Sequence, residues 1–218
     1  MKGFDNHSAS FFGQSDRKHT VTGSDEANTI IGGANDDYFY LSKGGDLKAM
    51  MAELFGKIDG CARGKGGSMH LIDIEAKVIG TSAVVASNIP VALGYALTEK
   101  LRGRDNIIVC FMGDGATEEG VFYESLNFSA LHDLPILFVC ENNGVAIHNP
   151  IDKRWASRAL GQRVEGYGIG YQETEDSDIF EIREIAAAFA EKIRDGDGPK
   201  FMHCHTYRWH EHVGPLQD

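Results

Sequence analysis

The chain has 218 residues and a formal net charge of −11, from 21 Lys and Arg against 32 Asp and Glu. That balance excludes nucleic acid as a main partner, which would demand a basic footprint, but not a phosphate held by backbone amides and a metal. No run approaches the ~18 apolar residues of a membrane span, and the 26 glycines follow no collagen-like period.

Residues 1–40 are polar, glycine-rich and weakly periodic, and read as an irregular N-terminal arm. Two nine-residue units in it, 23–31 and 32–40, faintly resemble calcium-binding nonapeptide repeats. Such a solenoid needs about three stacked units, and several pattern glycines are missing. The likeness is read as coincidence. Residues 41–218 read as one domain. Residues 46–56 open on Asp46 and close on Gly56, as a short amphipathic helix does. A glycine-rich loop spans 61–70, and 88–101 reads as a largely buried helix with Pro90 in its first turn. Residues 107–112 and 135–140 are continuous apolar runs of strand length, typical of parallel strands covered on both faces. Between them 118–132 reads as a helix, with Glu118 and Glu119 as partners of its dipole. A further helix over 176–194 and a strand over 200–207 follow. The expected class is α/β, with a mainly parallel sheet and helices on both faces.

The four cysteines are widely spaced, without a CxxC pair. Cys110 and Cys140 sit inside apolar runs and read as small core hydrophobes. A reducing, cytoplasmic compartment is the expectation.

Two loops carry the chemistry. The first apolar strand runs into Gly113-Asp114-Gly115-Ala116, and the next into Asn142-Asn143-Gly144-Val145. Both lie just past the carboxyl ends of strands, where open α/β sheets bind ligands. The glycines expose backbone amides ahead of a helical N-terminus, which favours anions. Asp114, Asn143 and one backbone carbonyl form an oxygen set suited to Mg²⁺.

This paired motif, with FMGDGATEEGVFYESLNFSALHDLPILFVCENNGVAIHNP around it, closely resembles the alpha subunit of two-component thiamine-diphosphate dehydrogenases acting on pyruvate, branched-chain 2-oxo acids or acetoin. The resemblance extends through GKGGSMHLID, TSAVVASNIPVALGYAL and TYRWHEHVGP. It implies a thiamine-diphosphate-binding fold and oxidative decarboxylation of a small-molecule 2-oxo acid, with the acyl unit passed to a lipoyl-bearing acyltransferase. Asp114 and Asn143 would ligate Mg²⁺ through side chains, and Val145 through its carbonyl. Gly115 and Ala116 would present amides to the diphosphate. Ala83 and Val85 would flank the pyrimidine end of the cofactor, and His212 would position or protonate intermediates as the catalytic residue. A beta subunit would complete the site in an α2β2 assembly, supplying the glutamate that activates the cofactor.

The chain departs from the family in one region. Aligned through Lys43-Gly44-Gly45, Asn35 and Asp37 fall where relatives carry a cofactor-gripping Arg and His. Beside the family the chain reads as shortened at both ends. A catalytically degenerate relative, kept as an interaction or regulatory module, is therefore the alternative reading. His203, His205, His210 and His212 invite a zinc reading, since the first two share a strand face. No Cys or Glu shell stands out beside them, and a strand edge followed by a loop is preferred.

Overall fold

The computed structural model describes residues 28–32, 37–175, 177–208 and 212. Within the stretch read as an irregular arm, Asn28–Gly32 forms a strand, β1, and Asp37–Ser42 a short helix, α1. The strand is the β-branched triplet Thr29-Ile30-Ile31, too short to show as a run among polar neighbours. Half of the two nonapeptide-like units, together with Asp176 and His210, lies outside the described residues, Asn35 included.

Leu47–Leu54 follows as α2, where the N-cap Asp46 accepts a hydrogen bond from Lys48 N at 2.7 Å. Next come β2 (Val78–Thr81), α3 (Asn88–Leu101), β3 (Ile107–Gly113), a 3₁₀ turn (Asp114–Glu118), α4 (Gly120–Leu131) and β4 (Ile136–Asn142). The hairpin of β5 (Val145–Ala146) and β6 (Asn149–Pro150) leads into α5 (Ile151–Arg154) and α6 (Leu160–Glu165). Strand β7 (Gly170–Thr174), helix α7 (Ile179–Arg194) and strand β8 (Lys200–His205) complete the chain order. Asp178, not a residue nearer 176, caps α7 by accepting from Phe180 N at 2.8 Å.

The six-stranded sheet has the order β2-β1-β3-β4-β8-β7, with every neighbouring pair parallel. Alternate residues of its central strands serve opposite faces. Ile108, Cys110 and Met112 of β3, with Ile136, Phe138 and Cys140 of β4, pack against Ile89, Ala92 and Ala96 of α3 and Phe122 and Leu126 of α4. Ile107, Val109 and Phe111, with Leu137 and Val139, pack against Ala186, Phe189, Ala190 and Ile193 of α7. Helices thus cover both faces, which is why the central strands read as unbroken apolar runs. β7 gave no such signal because only Thr174 of its five residues is buried.

All four cysteines are free, and Cys110, Cys140 and Cys204 are buried. Burial pushes the thiols of Cys110 and Cys204 up to about 12. No helix among the described residues is long and apolar enough to cross a membrane.

The glycines of the 61–70 loop turn out to serve a carboxylate of this chain. Glu53, fully buried in α2, accepts from Ala62 N and Gly64 N on Oε2 at 2.8 and 2.7 Å. Its Oε1 accepts from Gly66 N and Gly67 N at 2.7 and 3.3 Å. Burial works to raise its pKa, but the four amides outweigh it and hold the carboxyl below its ordinary value. Gly64 sits at φ +72°, and a Cβ there would fall 2.5 Å from the backbone of Gly56.

Candidate functional site

The parallel sheet delivers the predicted residues to one end, the carboxyl ends of its strands. Beyond β3, Asp114, Gly115 and Ala116 form the first turn of the 3₁₀ segment. Beyond β4, Asn143 leads into β5, which holds Val145. β3 and β4 are neighbours in register, with Gly113 opposite Glu141, so the two loops emerge side by side. They touch: a Cβ on Gly115 would meet Ala146 Cβ at 3.0 Å. The approach of β5 thus leaves little room for a side chain here, while Gly113 faces open space.

The loop after β4 is tied down by its own amides. Asn143 Oδ1 accepts from Val145 N at 3.0 Å, and Asn142 Oδ1 accepts from Gly144 N at 2.9 Å. Ile151 N donates to Gly144 O at 2.8 Å and fixes the hairpin to α5. A carboxamide oxygen has two lone pairs, so the Asn143 Oδ1 retains one for a further partner.

Asp114 is 2% exposed, and a buried carboxylate needs a counter-charge. Arg154, at the end of α5, supplies it through Nη2, while its Nη1 pairs with Glu118 Oε1. Arg154 Nε also donates to Asn149 O at 2.8 Å. Trp155 Nε1 donates to Glu118 Oε1 at 3.1 Å, and the Arg163 guanidinium lies 4.6 Å over the Trp155 ring. Glu118 is thus an ion-pair partner at the end of the 3₁₀ turn. It lies before α4, which starts at Gly120, and is not a first-turn residue of that helix. Sequence reasoning missed Arg154, the ion-pair partner of Asp114 and Glu118. The signal available was the Lys153-Arg154 pair shortly beyond the loop that follows β4.

The remaining candidates stand apart. Ala83 and Val85 follow β2, which β1 separates from β3. Both are exposed, Val85 at 59% and its neighbour Val84 at 66%. His70 Nδ1, 3.3 Å from Thr81 O, links the glycine-rich loop to this strand end. His212 is exposed and lies beyond the carboxyl end of β8, the neighbour of β4 on its other side. Asp114, Gly115, Ala116, Asn143 and Val145 are the cluster the fold assembles; Ala83 and Val85 follow a strand that is not adjacent to it, and His212 follows β8 in the chain.

The donor set at the cluster fits a hard divalent cation with a phosphate. It offers a buried carboxylate already matched to a positive charge, a carboxamide oxygen on a fixed loop, and a hairpin strand carrying the third oxygen. The first-turn amides of Gly115 and Ala116 have no capping side chain before them.

Residues 19–214 match the family model described as the dehydrogenase E1 component. The chain is 39% identical over 172 residues to the alpha subunit of acetoin:2,6-dichlorophenolindophenol oxidoreductase from Bacillus subtilis, covering 79% of this chain and 52% of that protein. It is 36% identical over 193 residues to the chloroplastic pyruvate dehydrogenase E1 component subunit alpha-3 of Arabidopsis thaliana, covering 86% and 45%. The chain thus spans about half the length of the curated relatives it matches. Among solved structures, a Mycobacterium smegmatis protein described as a thiamin diphosphate-dependent enzyme superposes with a TM-score of 0.52 at 18% identity, over 83% of this chain and 28% of that one. At this identity the likeness is one of fold, and it is the fold the sequence resemblance implies.

Proposed function

The chain belongs to the dehydrogenase E1 component family, and from that premise we propose that it is the alpha subunit of a thiamine-diphosphate- and Mg²⁺-dependent dehydrogenase of 2-oxo acids or acetoin. The observation that carries the reading is the contact of the two loops, Gly115 against Ala146, at the carboxyl ends of β3 and β4. Residues 41–218 form the cofactor-binding unit, its sheet completed by β1.

Asp114, Asn143 and the Val145 carbonyl would hold Mg²⁺, and the amides of Gly115 and Ala116 would meet the diphosphate. Bound there, the cofactor supplies the carbon nucleophile and electron sink for decarboxylation. Arg154 would then give up part of its hold on Asp114 and keep Glu118 and Asn149. The exposed Ala83-Val84-Val85 turn provides an apolar wall for the ring end of the cofactor and for a partner. His212 holds or moves a proton near the reacting carbon. A beta subunit in an α2β2 assembly completes the site, and a lipoyl-bearing acyltransferase receives the acyl group in the cytoplasm. The relatives' names divide between acetoin and pyruvate, so the substrate is proposed as a class.

The test is reconstitution. With a cognate beta subunit, the chain should oxidise a 2-oxo acid or acetoin with an artificial electron acceptor, dependent on thiamine diphosphate and Mg²⁺. No turnover with any of these substrates, beside a stable complex with the beta subunit, would favour the interaction module. Asn35 and Asp37, in place of a cofactor-gripping Arg and His, are what motivate that second reading.

A further inference from the structure

A second cluster of ligand-type side chains lies across β7 and β8, and it owes nothing to the cofactor reading. Glu173 on β7 is paired in register with His203 on β8. His205 follows two residues on, on the same face of the strand. His203 Nδ1 lies 3.3 Å from Glu173 Oε2, and His205 Nε2 lies 3.8 Å from the same oxygen. The two imidazole centroids are 4.4 Å apart. One ligand atom from each residue falls within 4.8 Å of the other two. A tetrahedral zinc with bonds of 2.0–2.2 Å keeps its ligands about 3.3–3.6 Å apart, so the two contacts to Glu173 are already near that spacing, and the widest separation need close by no more than about 1.5 Å. Sequence alone showed two histidines without a third ligand. Sheet register supplies it from a strand thirty residues upstream.

We propose that Glu173, His203 and His205 form a binding site for a divalent transition metal, with Zn²⁺ the best-suited occupant. Two imidazoles and one carboxylate form a set that zinc accepts, with water in the fourth position. The set is wrong for Mg²⁺, which takes oxygen ligands, so this site is distinct from the Asp114 cluster in chemistry as well as place. The His203 side chain is only 3% exposed, whereas those of Glu173 and His205 are 50% and 42% exposed. One ligand is thus fixed in the protein while the other two open a path for the ion. Burial, then the neighbouring His205, holds His203 down at about 4 against the pull of Glu173.

The surroundings supply supporting contacts. The Tyr171 hydroxyl donates to Glu173 Oε2 at 2.5 Å and lies 2.7 Å from His203 Nδ1. It bridges the two groups that the metal would bridge, and can stay on the carboxylate when an ion enters. On the far side of the ring, His203 Nε2 lies 3.0 Å from Asn142 Nδ2. A metal on Nδ1 places the ring proton on Nε2, which then needs an acceptor. Turning the Asn142 amide provides one and releases Gly144 N, which now donates to Asn142 Oδ1. Occupation of this site therefore reaches the loop that carries Asn143.

The experiment uses the untagged full-length chain, stripped with a chelator and then titrated with Zn²⁺ against a chromophoric competitor. One tightly held Zn²⁺ per chain is expected. Glu173→Gln and His205→Ala, at the two half-exposed ligands, should each weaken binding at least ~10-fold, while His132→Ala, at the other end of the sheet, should not. X-ray absorption on the zinc-loaded wild-type chain, which needs no variant to fold, should show two imidazoles and oxygen ligands. Failure of the wild-type chain to retain zinc would overturn the site, as would unchanged affinity in both ligand variants. So would an absorption spectrum with one imidazole or with sulfur. None of these outcomes depends on whether thiamine diphosphate binds.

Discussion

The guanidinium of Arg154 closes on the carboxylate of Asp114, the one side chain 5% and the other 2% exposed. The pair stands where the sequence motif calls for a metal ion. A carboxylate this buried needs a cationic partner. Arg154 meets that need without using the site's remaining oxygens, since it binds through Oδ2 and leaves Asn143 Oδ1 and the β5 hairpin in place.

Replacing Arg154 should separate these roles. Arg154→Gln leaves Asp114 buried beside an uncharged amide and should destabilise the metal-free protein by ~3 kcal/mol. For a chain of this size that corresponds to a fall in melting temperature of roughly 6–12 °C. Mg²⁺ with thiamine diphosphate should restore more stability in the variant than in the wild type, because it supplies the missing positive charge. Thermal melts with and without both ligands measure the difference. Equal ligand-induced shifts in the two proteins would contradict the assignment.

Glu53 predicts a stability defect and a pH dependence. Glu53→Gln turns an amide group toward backbone donors and should cost ~2–4 kcal/mol, by orphaning one or two buried N–H groups. In the wild type the folded carboxyl titrates below its unfolded value, so the unfolded chain binds the proton first as pH falls. The contribution is present above the ordinary carboxylate pKa and is lost on acidification through the folded value. Urea midpoints measured from pH 7 to pH 3 should therefore fall more steeply for the wild type than for Glu53→Gln.

Gly115→Ala introduces a Cβ 3.0 Å from Ala146 Cβ. The hairpin must shift by a few tenths of an ångström, at a cost of ~1 kcal/mol in stability. Thiamine diphosphate affinity should fall by a larger factor, at least ~10-fold, equivalent to about 1.4 kcal/mol. Denaturant unfolding and ligand titration on one preparation compare the two losses. A variant with intact binding would mean that the contact only packs the loops.

Thiol chemistry checks the core. Cys110, Cys140 and Cys204 are buried, and burial raises the pKa of each, so none offers an accessible thiolate. Cys61 is half-buried, and its thiol is raised by burial and by Glu53. A thiol reagent at pH 8 should modify Cys61 slowly and alone in the folded chain, and all four cysteines in denaturant. Mass mapping of the labelled peptides distinguishes the sites.

Sequence reading succeeded where one strong local signal sufficed. The apolar runs that became β3 and β4, the cap at Asp46 and the loops holding Asp114 and Asn143 all stand where their spacing put them. It failed where a residue's meaning depends on a distant partner. The glycines at 64, 66 and 67 read only as a glycine-rich loop, yet they enclose Glu53. Glu118 read as a helix-dipole partner, because Arg154 lies thirty-six residues away in sequence. His203 and His205 lacked a third ligand until β7 paired with β8. β1 and β7 carry too few apolar residues to stand out from loop, and only the parallel pairing reveals them.

The central claim, that the paired loops after β3 and β4 hold thiamine diphosphate through Mg²⁺, is tested most directly by calorimetric titration of the chain with thiamine diphosphate at fixed Mg²⁺, with and without its beta subunit. Asp114→Ala and Asn143→Ala serve as variants. Binding should require Mg²⁺, and each variant should weaken it by ~100-fold or more, about 2.7 kcal/mol. Binding that persists without Mg²⁺ or in both variants, or no binding by the wild-type chain in either state, would contradict it.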